Sequence, residues 1–211
     1  MRGWPGTFRT SRLNALADDA VVHCVSQQQA EQVRAAIEDR MVEVGLRLHP
    51  DKTTIVYCQD ANRRDSAEHT SFTFLGYTFR ARGARNRNGV VFTAFLPAVS
   101  KDALKKMGQV VRRWRLHRRT GLNFADLARM INPIVRGWMN YYGAFYPSAL
   151  STLLARINTY LMRWIRKKYK RLRAIRKAQV RWEYVTKTYP RYFAHWAQVT
   201  DPLMIKTARA V

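Results

Sequence analysis

The chain has 211 residues and sets 38 Lys and Arg against 14 Asp and Glu, a formal net charge of +24. A hydrophobic fraction of 47%, with six Trp, nine Phe and ten Tyr, supplies a real core and excludes a wholly disordered basic tail. Charge this far from zero repels itself in the compact state and calls for an anionic partner, while no run approaches the ~18 apolar residues of a spanning helix.

Residues 1–15 carry Arg2, Arg9 and Arg12 without an acid, but lack the apolar stretch of a secretory signal. Two short apolar runs then flank Asp18-Asp19, which reads as a hairpin tip, with AVVHCV (residues 20–25) as its second strand. Ser26 and Gln29 form a capping box for a helix that carries Ala30, Val33, Ile37, Met41 and Val44 at helical spacing and stops at Gly45. TTIVY (residues 53–57) is β-branched and predicts a strand; residues 59–70 are polar and predict a loop. FTFLGYTF (residues 72–79) alternates aromatics on one face, and Asn88-Gly89 predicts a tight turn into the partner strand VVFTAF (residues 90–95).

After Pro97 the period changes to that of helices. Ser100 caps a helix with Leu104, Met107, Val111 and Trp114 inward, and Lys105, Lys106, Arg112, Arg113 and Arg115 on its open faces. A turn at Thr120-Gly121 leads to a second cap, Asn123. Asn132-Pro133 is expected to break that helix and start another carrying Ile134, Trp138, Tyr141, Tyr142 and Phe145. Pro147-Ser148 opens a long helix with Leu154, Ile157, Leu161, Trp164 and Ile165 inward, ending in the basic run RKKYKRLR (residues 166–173) that complements the helix dipole. A further helix is expected around residues 174–185, followed by a docked aromatic tail, PRYFAHW (residues 190–196). The pattern is α+β, with a mixed piece over residues 1–99 and an all-helical basic piece over residues 100–211.

Between residues 100 and 195 the only acids are Asp102, Asp126 and Glu183. One basic helix is ordinarily a solvated face. Several consecutive basic helices almost without acids point instead to phosphate neutralisation, with interleaved aromatics to stack on unpaired bases. Trp114, Trp138 and Trp164 fall on core stripes, and adjacent Tyr141 and Tyr142 cannot share one face. The basic candidates for RNA contact are Lys105, Arg112, Arg113, Arg115, Arg118, Arg119, Arg136, Arg163, Arg166, Lys167, Lys168, Lys170 and Arg171. Asp18-Asp19 is an ordinary turn on its own, yet two carboxylates there also suit Mg²⁺. The five histidines show no metal-ligand spacing, and no Gly-rich phosphate loop is present. Cys24 and Cys58 give neither a disulfide framework nor a zinc spacing and suit the reduced thiols of a cytoplasmic protein.

Four segments, in this order, resemble the group II intron reverse transcriptases. LADD with AVVHC (residues 16–24) resembles their YADD catalytic hairpin, with Leu16 in place of the tyrosine. GLRLHPDKTTIVY (residues 45–57) resembles the next palm motif, FTFLGYTF the primer grip, and INPIVRGWMNYYGAF (residues 131–145) the maturase, or thumb, signature. The resemblance implies a partial palm followed by a helical thumb/maturase domain, binding to structured intron RNA, assistance to splicing, and reverse transcription. It implies Asp18 and Asp19 as metal-binding catalytic carboxylates and Lys52 as the motif lysine near the incoming nucleotide. It further implies Phe74, Leu75, Gly76 and Tyr77 as the primer grip, and Arg136, Trp138, Asn140, Tyr141 and Tyr142 as the maturase signature. The fingers and the earlier palm motif with a third carboxylate are not recognisable in this sequence. Polymerisation, with Mg²⁺ at Asp18 and Asp19, is therefore expected only alongside a separate fingers–palm polypeptide. A nonfunctional truncated remnant is the third expectation. No membrane partner is expected.

Overall fold

The computed structural model describes residues 12–16 and 19–199. The fold is α+β: five strands and five α-helices among the described residues, divided into two compact units. The first comprises Met1–Phe74 and Arg80–Phe95, the second Leu75–Phe79 and Leu96–Val211.

In the first unit β1 (Arg12–Leu16) and β2 (Asp19–His23) pair antiparallel, with Leu16 opposite Asp19. The hairpin read from the sequence is present; Ala17 and Asp18, which join its strands, lie outside the described residues. Helix α1 (Gln27–Glu43) begins where Ser26 Oγ accepts from the Gln29 amide at 3.2 Å. Gln29 Oε1 reaches back to the Val25 amide at 2.7 Å, one residue before the cap. The helix ends in a Schellman arrangement: Gly45, at φ +74°, donates to the Val42 carbonyl, and Leu46 donates to that of Met41. No residue of α1 is buried.

The strand expected over residues 53–57 does not form. A strand needs a neighbouring ladder, and here the Thr53 amide bonds back to the His49 carbonyl in the preceding turn at 3.0 Å while the Tyr57 amide reaches the His69 carbonyl at 2.9 Å, two isolated bonds that make no ladder. The second sheet has the order β3 (Ser71–Phe74), β4 (Tyr77–Arg85), β5 (Val91–Val99), all antiparallel. The chain passes between the two units along β4 and β5. The Asn88-Gly89 turn is as expected: Gly89 takes φ +82°, and Asn86 Oδ1 accepts from the amides of Asn88 and Val90.

The second unit carries the core. Helix α2 (Lys101–Arg113) starts at Ser100, whose Oγ accepts from the Ala103 amide. Helix α3 (Phe124–Tyr142) starts at a full capping box, Asn123 with Asp126. It runs unbroken through Pro133, against the sequence expectation of two helices. Proline removes a single ladder bond, whereas Ile131 and Val135 on either side are wholly buried. The buried Asn132 side chain adds a further tie, donating to the Tyr192 carbonyl and accepting from the Ala194 amide. A 3-10 turn over Pro147–Leu150 feeds α4 (Ser151–Lys168), and α5 (Ile175–Thr188) follows. Trp164, Trp182, Phe193 and Trp196 are fully buried, each contributing roughly 2–3 kcal/mol by removal from water.

The C-terminal aromatic tail is locked to α4 by one side chain. Asn158, fully buried, donates through Nδ2 to the Val199 carbonyl at 3.0 Å. Its Oδ1 accepts from Trp196 Nε1 at 3.0 Å and meets His195 Nε2 at 2.7 Å. The indole N–H can only donate, so this amide atom is the oxygen and His195 carries its proton on Nε2. His195 Nδ1 is buried and has no hydrogen-bond partner among the described residues. Protonating it would bury a cation, and burial lowers the His195 pKa to about 3. A folded-state pKa below the unfolded one means the unfolded chain binds the extra proton first. The stability from neutral His195 is therefore complete above about pH 6.5 and falls as pH drops toward 3. Urea melts of the helical unit should lose up to about 1.4 kcal/mol per pH unit below pH 6.5. His195→Gln, which keeps a donor toward Asn158, should flatten that part of the profile; parallel profiles for the two proteins would contradict the assignment.

Candidate nucleic-acid interface

The LGY turn of the primer-grip segment belongs to the helical unit. Leu75 and Gly76 both take positive φ, 52° and 78°, as a two-residue hairpin turn requires between β3 and β4. Glycine accepts this readily, whereas leucine adopts it at a cost of about 1 kcal/mol or more. Three hydrogen bonds hold the turn. Tyr141 Oη donates to the Leu75 carbonyl at 3.0 Å, and the Ser100 amide donates to that of Gly76 at 2.8 Å. Tyr77 Oη donates to the Tyr141 carbonyl. A side chain at Gly76 would meet the Tyr142 hydroxyl at 2.9 Å, so the ring closes over a position where only hydrogen fits.

The buried Tyr77 ring lies 5.2 Å from that of Tyr141, 5.5 Å from Tyr142 and 5.7 Å, edge-on, from Phe145. Adjacent Tyr141 and Tyr142 thus both touch Tyr77 while leaving α3 in different directions, Tyr141 exposed and Tyr142 half-buried. Burial first, then the neighbouring tyrosine hydroxyls, pushes the Tyr77 pKa up; burial and Tyr141 do the same to Tyr142. The Tyr77 hydroxyl stays protonated, as its donation to the Tyr141 carbonyl demands. Two of the motifs found in the sequence, the primer grip and the maturase signature, are therefore one packed structure. Phe74 is half-buried at the end of β3.

The basic residues divide by use. Lys105, Arg112 and Arg113 on α2, Arg118 on the turn after it, Arg136 on α3, Arg163 and Lys167 on α4, and Lys170 and Arg171 beyond it are all exposed. Arg115 is exposed at φ 47°, where the chain leaves α2. Three others bond main-chain carbonyls. Arg119 Nε donates to Trp114 at 2.8 Å, and Arg166 Nε donates to Arg173 at 2.9 Å. Lys168, half-buried across the Trp164 ring, donates to the carbonyls of Thr120 and Leu122. Trp138 stacks on Trp114 at 5.7 Å, and Asn140 is exposed.

Sequence reading missed Arg156 and Tyr160. Along α4, Arg156, Tyr160, Arg163 and Lys167 follow at helical spacing on one accessible stripe. The Arg163 guanidinium sits over the Tyr160 ring at 5.5 Å, which also stacks with His117 at 6.0 Å. Their periodicity was available; each residue alone was indistinguishable from a solvated face. Among the described residues this unit holds a single ion pair, Arg129 with Asp126 at 2.9 Å. Its positive charge is left almost wholly uncompensated from within.

Asp19 is exposed at the start of β2, and Asp18 lies outside the described residues. Lys52 is exposed in the turn after α1, with its amide bonded to the His49 carbonyl. No hydrogen bond or ion pair joins Lys52 to Asp19. Among the described residues no group of three or more His, Cys, Asp or Glu is placed to hold a metal ion. No helix among these residues is long and apolar enough to cross a membrane.

Comparison with known families assigns both parts. Residues 104–185 match the maturase-specific domain of group II introns. Residues 2–79 match the reverse transcriptase, or RNA-dependent DNA polymerase, family, whose members generally use Mg²⁺. No curated protein matches the chain. The two matches lie in the order that the four sequence motifs predict, and the maturase match covers the helices whose basic faces stand open: the chain belongs to the group II intron reverse transcriptase/maturase family.

Proposed function

We propose that this chain binds structured group II intron RNA through its helical unit, within a cytoplasmic ribonucleoprotein, and that this binding assists splicing. The observation that carries the reading is the open basic surface of α2 and α4, which has almost no carboxylates to compete with phosphate. Each exposed Lys or Arg that neutralises a phosphate releases condensed counterions, which drives association with any RNA. Preference for an intron must come from the fit of a rigid basic surface to a folded RNA. The packed Tyr77, Tyr141 and Tyr142 cluster supplies that rigidity near Arg136 and Asn140 on the same helix.

A group II intron RNA should bind more tightly than an unrelated folded RNA of equal length at moderate salt. Arg163→Gln with Lys167→Gln should lower the slope of log K against log salt by about 2. Equal affinity for the two RNAs would remove the maturase reading and leave generic polyanion binding.

A second reading is favoured by the first unit. None of residues 19–74 and 80–95 is buried, and α1 leaves Val42 65% exposed, with Ala30, Val33 and Ile37 only half-covered. Such a unit suits a partner that completes its core, and a separate fingers–palm polypeptide fits that role for RNA-directed DNA synthesis. Primer extension on an RNA template should then appear only when that polypeptide is added, and should vanish in Asp18→Ala and in Asp19→Ala. Extension that survives both changes would exclude the pair from the reaction.

A further inference from the structure

One face of α3 carries a groove unconnected with the tyrosine cluster. Ala125, Ala128, Arg129, Pro133, Arg136 and Tyr192 line this open groove of about 400 Å³. That volume accommodates one nucleobase, and Ala125, Ala128 and Pro133 contribute small apolar lining of the kind bases stack on. Asn132 also borders the groove, but both ends of its amide are taken by the main chain of Tyr192 and Ala194. It cannot read a base. Arg129 is held by Asp126 at 2.9 Å, whereas Arg136 is exposed and makes no ion pair among the described residues.

The remaining feature is the proline. In a helix the carbonyl of residue i points at the amide of residue i+4. Pro133 has no N–H, so the Arg129 carbonyl loses its ladder donor on the groove-lining face. The groove therefore offers apolar lining, an exposed cation and a main-chain acceptor left over by proline. An acceptor demands a donor, and an unpaired base has donors on its Watson–Crick edge.

We propose that the α3 groove seats one unpaired nucleotide of the bound RNA, its base against Tyr192, its phosphate on Arg136 and a Watson–Crick-edge donor on the Arg129 carbonyl. The proposal rests on the RNA-binding reading and adds a discrimination that counterion release cannot give. Adenine, whose exocyclic amine donates, is accepted; a purine without that amine stacks equally well and leaves the carbonyl unmet.

The test uses the full chain and two fluorescent pentanucleotides, abasic except at the centre, which carries adenosine in one and purine riboside in the other. The adenosine probe should bind roughly three- to tenfold more tightly, as one hydrogen bond allows. Pro133→Ala returns an N–H to the Arg129 carbonyl without threatening the helix. It should erase the difference between the two probes, whatever it does to the affinity they share. Arg136→Gln should weaken both probes alike and lower the salt slope by about 1. Equal affinities in the unaltered protein, or a difference that survives Pro133→Ala, overturn the proposal. If the same preparation still prefers intron RNA over unrelated RNA, that failure belongs to the groove alone; if it binds no RNA at all, the parent reading has failed and the groove falls with it.

Discussion

Burial of aromatic side chains around α4 is the constraint that everything else in the helical unit relies on. Like charge at this density pushes the helices apart, and the only ion pair among the unit's described residues, Arg129 with Asp126, is exposed and contributes little. Stability must then come from apolar area removed from water. Trp164, Trp182, Phe193 and Trp196 supply it, and Asn158 fixes the tail that brings two of them into place. Some of the positive charge is used internally: Lys168, Arg119 and Arg166 donate to carbonyls at helix ends and turns, which neutral side chains would satisfy less strongly. The rest faces water, and a polyanion relieves its self-repulsion on binding. Core and surface are thus coupled: the same buried rings that hold the helices together permit a surface that no unit with a weaker core could display.

The two units stand in contrast. The helical unit has a contiguous core, from Val99 through Trp196 to Val199. The first unit has caps, a Schellman stop and well-formed hairpins, yet none of residues 19–74 and 80–95 is buried. Local signals suffice to build its elements but not to bury them. The proposed RNA recognition rests on the part that can hold side chains in fixed positions, since preorganised groups lose less entropy on binding.

Much of this was legible because it is local. Ser26, Ser100 and Asn123 announce helix starts through bonds spanning three residues, and Asn88-Gly89 announces a turn through a backbone preference. The 3.6-residue period placed Met107, Val111, Leu154, Ile157, Leu161 and Trp164 in the core, where they are. What was not legible depends on distant partners. Pro133 reads as a helix break until Asn132 is seen bonded to residues 60 and 62 positions away. Residues 53–57 read as a strand from their β-branching, but a strand needs a neighbour that composition does not reveal. Lys168 reads like any other cation in RKKYKRLR, and only the fold sets it against the carbonyls of Thr120 and Leu122. The union of primer grip and maturase signature joins Tyr77 to a residue 64 positions on, a separation at which no sequence period carries information.

That the helical unit holds the RNA is tested most directly by lysine reactivity toward an acetylating reagent, mapped residue by residue on the full chain with and without a group II intron RNA. Lys105, Lys106, Lys167 and Lys170, all exposed in the free protein, should lose reactivity in the complex. Lys168, engaged with two carbonyls, should react slowly in both states, and exposed Lys52 should react alike in both. Protection of Lys52 while the lysines of α2 and α4 remain fully reactive would contradict the account.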